Sequence, residues 1–196
     1  MNHIISWILI PVLTCLAAGP DNWFTLNFSV IGSVFPRNLI LLVWTLLIGG
    51  YYHTFVIGIL KQTDHLIHVT IEPVMIDLSV FLLILSAFLP YRPNLQPVVS
   101  FLHLASALSS TVIFYTTITV INRKLYVLDH KLFALTAALL VLSVCISISL
   151  LILCNFLITS ALEIFLTLFS CFWLRLLNRR LTILVRRKRM LARLSS

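Results

Sequence analysis

Long runs of apolar residues, broken by short polar stretches, set the pattern of this chain. An apolar run of about 18 residues or more crosses the roughly 30 Å hydrocarbon core of a bilayer as a helix. The runs Leu39–Leu60, Val69–Leu89, Val98–Ile121, Leu132–Leu153 and Phe156–Leu177 meet that length. Ile4–Ala18 is shorter and carries Pro11. Its start, Met1-Asn2-His3, lacks the basic residue of a signal peptide, and Leu16-Ala17-Ala18-Gly19 makes a poor cleavage site, so it is read as a retained span. The predicted fold is all-α: a polytopic bundle of about six transmembrane helices over residues 1–177, followed by a basic cytosolic tail, 178–196.

Composition removes the alternative of a soluble domain. Of the 196 residues, 60% are hydrophobic and 10% charged, against about 25% charged in an ordinary globular domain. The distribution of Lys and Arg orients the spans. Lys61, Arg123, Lys124 and Lys131 occupy the second and fourth loops, and Arg175, Arg179, Arg180, Arg186, Arg187, Lys188, Arg189 and Arg193 occupy the last helix end and tail. Only Arg37 and Arg92 fall on the other side. Twelve of the 14 basic residues therefore share one face, which predicts cytosolic termini and an even number of spans. Location in the plasma (cytoplasmic) membrane is the matching expectation. With the positive charge so placed, the expected partners are membrane lipids and, for Arg179, Arg180, Arg186, Arg187, Lys188 and Arg189, anionic headgroups at the cytosolic face; nucleic acid is not expected. A homo-oligomer or another membrane protein is a further possible partner.

Ionisable side chains within a span are costly and mark candidate sites. His53 lies about 12 Å and Asp77 about 13 Å from the cytosolic ends of spans two and three, at 1.5 Å per helical residue. His103 lies about 9 Å and Glu163 about 10 Å below the outer ends of spans four and six. Each leaflet thus holds one histidine and one acid at matched depth, able to share a proton or a hydrogen bond. Glu72, one turn deep, reads as interfacial. Small and polar residues recur at helical steps as Ser100, His103, Ala107, Ser110 and Thr117 in span four, Thr136, Ser143 and Ser147 in span five, and Thr159, Glu163 and Ser170 in span six. Such stripes either let helices pack closely or line a polar pocket, and both readings turn them inward. In the second, His103, Glu163, Ser100 and Arg92 form an outer pocket, capped by Arg92 and the first outer loop. Trp7, Trp23 and Trp173, near span ends, read as interfacial anchors.

The catalytic and cofactor signatures are thin. There is no phosphate-binding glycine loop, nucleophile elbow or HExxH sequence. A Ser100–His103–Glu163 set is conceivable, since Ser100 and His103 share a helix face. Bis-histidine haem is disfavoured by the opposite depths of His53 and His103. The cysteines Cys15, Cys145, Cys154 and Cys171 sit in apolar segments without metal spacing. No cofactor and no metal are expected. Asn27-Phe28-Ser29 matches a glycosylation sequon on the outer side.

Three stretches carry a family resemblance: Asn22-Trp23-Phe24-Thr25-Leu26-Asn27-Phe28-Ser29-Val30-Ile31-Gly32, then Pro90-Tyr91-Arg92 with Ser100-Phe101-Leu102-His103, and Glu163 early in the last span. The arrangement resembles the DRAM/Frag/Sfk group and its bacterial six-span relatives of unknown function, in which a proline turn precedes a span-four histidine and an acid sits in the last span. Eukaryotic members are linked to lipid remodelling, lipid asymmetry and autophagy. The resemblance implies a lipid-associated role for His103 and Glu163, and it does not extend to His53 and Asp77. Three functions follow as expectations. The first is a non-enzymatic protein that binds or senses membrane lipid, or supports its homeostasis, through the outer pocket. The second is a proton-coupled transporter or channel using both layers, and the third is a lipid-modifying membrane enzyme.

Overall fold

The computed structural model describes residues 4–19, 23–34 and 38–194, with side chains described except at 32–34, 189 and 191–194. The outer-side Arg37 and the side chains of the tail residues Arg189 and Arg193 lie outside that set. Seven helices and no strand are formed among the described residues: α1 (Ile5–Ala18, wider π-type turns over Ile5–Leu9), α2 (Phe28–Val34), α3 (Asn38–Thr63), α4 (Glu72–Phe88), α5 (Pro97–Leu128), α6 (His130–Leu153) and α7 (Ser160–Leu194). Prolines open the elements where their missing N–H costs nothing: Pro73 and Pro97 stand in the first turns of α4 and α5. Asp129 caps α6 by accepting from the Leu132 N–H.

Four helices are long and apolar enough to cross a membrane: α3, α5, α6 and the Ser160–Lys188 part of α7. The chain is an integral membrane protein. The expected first and third spans are shorter as helices. α1 covers Ile5–Ala18, and α4 has 17 residues because Thr70, rather than continuing a helix back to Val69, donates its N–H to the Glu72 carboxylate.

The helices close into a ring in the order α1, α3, α4, α5, α6, α7, with α7 returning to α1. Its exterior is apolar: Phe81, Val98, Phe101, Val127, Val141 and Leu153 all stand exposed. Its interior holds the hydroxyls. Ser79, Ser100, Ser110, Thr117, Thr136, Ser143 and Ser170 are buried. An apolar exterior around a core that mixes these hydroxyls with apolar side chains suits a hydrocarbon surround, where helix contacts gain from small side chains and hydrogen bonds rather than from hiding apolar surface. Ser79 and Ser110 illustrate it, each hydroxyl donating to the other's carbonyl, at 2.9 and 2.8 Å, to tie α4 to α5. At the basic end, Lys124 of α5 pairs with the buried Glu72 carboxylate and donates to the His68 carbonyl.

Two expectations about the last helix need correction. The turn before it is not confined to Cys154-Asn155. It runs to Thr159, with Asn155 and Phe156 at positive φ, and α7 starts at Ser160. The basic residues from 178 on belong to the same helix. α7 continues to Leu194, and Leu174, Leu177, Leu181 and Leu184 stay within the core cluster, so the tail up to that point is an upright extension of the bundle. Arg179, Arg186, Arg187 and Lys188 project from it, exposed, while Arg180 is half-buried. Arg187 reaches Asp129 at the α5–α6 turn, 3.8 Å away. Trp173 is no interfacial anchor: it is fully buried, and its indole N–H donates to the Thr136 carbonyl at 2.9 Å.

Candidate functional site

Within the ring, between α3, α4, α5 and α7 and beneath α2, lies a cavity of about 320 Å³. The Arg92 end of the bundle is arranged around it by chain segments that complete one another's backbone bonds. The start of α7 has unsatisfied N–H groups, as every helix does. Here the segment 23–28 supplies the acceptors. The Ser160 N–H donates to the Leu26 carbonyl at 2.7 Å, and the Ala161 N–H to the Trp23 carbonyl at 2.9 Å. Glu163, one turn on, reaches back to accept the Phe28 N–H at 2.8 Å. Loop and helix thus cap each other.

His103 fastens the same α2 segment to the other side of the cavity. Its Nδ1 lies 2.8 Å from the Leu89 carbonyl, left open at the end of α4, and its Nε2 lies 2.6 Å from the Ser29 hydroxyl. A carbonyl only accepts, so Nδ1 carries a proton and donates to Leu89, and Nε2 pairs with the Ser29 hydroxyl. The Tyr91 ring packs against the imidazole. Ser100 accepts the Arg92 N–H at 2.8 Å and so closes the proline turn between α4 and α5.

The four outer residues expected from the sequence gather at this end, with a different wiring. His103, Glu163 and Arg92 line the cavity, whereas Ser100 braces the turn behind it. Glu163 and His103 are joined through the adjacent residues Phe28 and Ser29 rather than to each other. The Ser100–His103–Glu163 set is not assembled: the hydroxyl on His103 belongs to Ser29, and Leu89, rather than a carboxylate, orients the ring. Deeper in, the wall is hydroxyl-rich and aromatic. Ser79, Ser110, Tyr115 and Ser170 line it with Trp44, Tyr52 and Phe114, and Tyr115 bonds Ser170 at 3.1 Å. Ser79 and the aromatic groups were not singled out from the sequence. The seven-residue step from Ser79 to Ser86 on α4 was the available signal for the former.

The inner pair has the opposite character. His53 Nε2 and Asp77 Oδ1 are 3.0 Å apart, linking α3 to α4. Neither lines the cavity, and their side chains are 44% and 61% exposed on the bundle's exterior. No three His, Cys, Asp or Glu side chains gather in a metal-binding arrangement among the described residues. No protein-family model, curated protein or solved structure matches this chain.

Proposed function

We propose that this is a six-pass protein of the plasma membrane, with both termini cytosolic, that binds membrane lipid through the cavity beneath α2. The observation that carries the reading is the cavity itself. It is lined by four helices, bordered by His103, Glu163, Ser29 and Arg92 at the end expected to face outward, and continued inward by hydroxyl and aromatic side chains. Its volume is at the small end of ligand sites, about 300–1,000 Å³. That suits a polar headgroup with the start of its chains rather than a whole phospholipid. Each of the three stretches behind the DRAM/Frag/Sfk resemblance contributes to the cavity wall, through Phe28 and Ser29, through Pro90, Tyr91, Arg92 and His103, and through Glu163, which supports a lipid-associated role.

Each rival loses a part it needs. Proton transfer between the two layers requires a path, yet His53 and Asp77 face away from the cavity. The enzyme reading has His103 oriented against Ser29 by the Leu89 carbonyl, but no carboxylate beside the ring to stabilise an imidazolium.

Lipid retained by the purified protein, measured by native mass spectrometry after exchange into lipid-free detergent, tests the proposal. Ala107→Phe, which fills the cavity without removing a polar bond, is expected to abolish retention. His103→Ala and Glu163→Gln are expected to reduce it. Wild-type retention in all three variants would remove the proposal. A covalent adduct of Ser29 with a hydroxyl-reactive probe, lost in His103→Ala, would favour the enzyme instead.

A further inference from the structure

The cavity is not sealed, and the exposure of its own lining shows where it opens. Among the residues that border it, Asn38, Phe88, Pro90 and Arg92 are exposed. They stand at the start of α3 and the end of α4, so the mouth lies between those two helix ends. Phe88 is 65% exposed and shares one stripe of α4 with Val74, Leu78 and Phe81, at steps of four, three and seven residues. That stripe belongs to the apolar exterior. One side chain therefore borders both the cavity and the surrounding hydrocarbon, and the mouth opens sideways into the bilayer as well as toward the Arg92 turn.

Two opposite charges border this cavity without neutralising each other. Glu163 engages the Phe28 N–H through Oε2. Its Oε1 accepts no bond among the described residues and, unlike the Tyr51 hydroxyl, is not sealed away, so it is open to the cavity. The Phe28 and Trp44 rings, 5.2 Å apart and nearly perpendicular, border the cavity next to it. A carboxylate at this depth calls for a cation, and aromatic rings attract one as well. Arg92 borders the same cavity, yet no ion pair joins it to Glu163 or to any other acid among the described residues. Its guanidinium is a fork of donors that matches a phosphate. His103 is not open in this way, because both its ring nitrogens are engaged.

Resting on the lipid reading above, we propose that the ligand is a zwitterionic glycerophospholipid, drawn from the leaflet at the Arg92 end through the opening between α3 and α4. Its ammonium meets Glu163 Oε1 beside Phe28 and Trp44, its phosphate meets Arg92 at the rim, and its acyl chains stay in the bilayer against Phe88. Depth supports this order. Glu163 lies three residues into α7, about 5 Å below its start, whereas Arg92 stands in the turn beyond the end of α4. Chains at the mouth, phosphate at the rim and ammonium within is also the order of these groups along the molecule. A purely anionic headgroup would leave Glu163 without a cation, and a lipid without phosphate would leave Arg92 unused.

Competition among lipids of identical acyl chains tests this. The full chain, delipidated in detergent, is offered an equal mixture of phosphatidylcholine, phosphatidylethanolamine and phosphatidylglycerol, and native mass spectrometry identifies the bound species. The first two are expected to exceed phosphatidylglycerol by about tenfold, the effect of one close charge pair. Glu163→Gln is expected to erase that preference, and Arg92→Gln to weaken all three lipids alike. Phosphatidylglycerol bound as well as the others, by a wild-type protein that does hold lipid, would overturn this assignment and leave the lipid reading standing. No lipid held at all would overturn both. A zwitterionic preference that survives Glu163→Gln would also sink the assignment. So would water-soluble glycerophosphocholine binding as tightly as phosphatidylcholine, because the chains would then contribute nothing at Phe88.

Discussion

The two histidine–acid layers stand in instructive contrast. His103 and Glu163 never touch, yet both are anchored inside the bundle, each by the α2 segment and His103 also by the end of α4. His53 and Asp77 touch at 3.0 Å and nevertheless face outward. Depth along a helix is fixed by counting residues, but the direction of a side chain turns by about 100° at each step. Tyr52 and Ile76 are buried, so His53 and Asp77, one residue later on their helices, are swung to the side. The outer layer is part of a cavity wall and the inner layer part of an outer surface, although their compositions are the same.

If that contrast is right, removing the imidazole has very different effects in the two layers. His103→Ala leaves the Leu89 carbonyl and the Ser29 hydroxyl without their partner, and an unsatisfied buried polar group costs about 1–3 kcal/mol. A stability loss of about 2–3 kcal/mol is expected for the detergent-solubilised monomer. His53→Ala removes a single contact between α3 and α4 on the bundle's exterior and is expected to cost about 1 kcal/mol or less, the usual size of a side-chain bond between membrane helices. Thermal unfolding followed by circular dichroism measures both, and a reversed order would break the comparison.

A smaller difference sharpens the outer layer itself. Glu163→Leu strips the Phe28 N–H of its acceptor and is expected to cost about 2 kcal/mol. Glu163→Gln keeps a carbonyl oxygen at that place, so about 1 kcal/mol or less is expected. Hydrogen exchange at the Phe28 amide distinguishes them: it accelerates in the leucine variant and stays slow in the glutamine variant. Equal exchange would mean that the carboxylate is not what holds the segment.

How much of this was legible in the sequence follows the same division between height and direction. The all-helical class and most helix ends were legible, because apolar runs act locally; the start of α4 was missed, since the apolar run reaches back past Pro73 to Val69. So was the inward turn of Ser110, Thr136 and Ser170, since helical spacing reports a shared face. The wiring of the site was not. Leu89, Leu26 and Trp23 contribute backbone carbonyls, and a carbonyl leaves no trace in residue identity. Trp173 looked interfacial because it stands near the end of an apolar run. It is buried because α7 does not stop there, carrying Leu177, Leu181 and Leu184 onward into the core.

The smallest expected effect distinguishes interior from exterior on one helix, at two adjacent glycines. Alanine favours a helix over glycine by about 0.5–1 kcal/mol. At Gly50 the added methyl meets nothing within the chain, so Gly50→Ala is expected to stabilise the solubilised monomer by about that amount. At Gly49 the methyl arrives 3.3 Å from Val80 Cγ1, and α4 or the Val80 rotamer must yield. The gain in helix propensity is then offset by strain at the α3–α4 contact, and Gly49→Ala is expected to be neutral or destabilising by about 1 kcal/mol. Thermal melts of the two variants against wild type measure the difference. Because the two positions share helix, depth and backbone geometry, only the direction each faces separates them. A matching gain at both would mean that α3 and α4 do not approach closely at Gly49, and that the exterior placement of His53 must be redrawn with it.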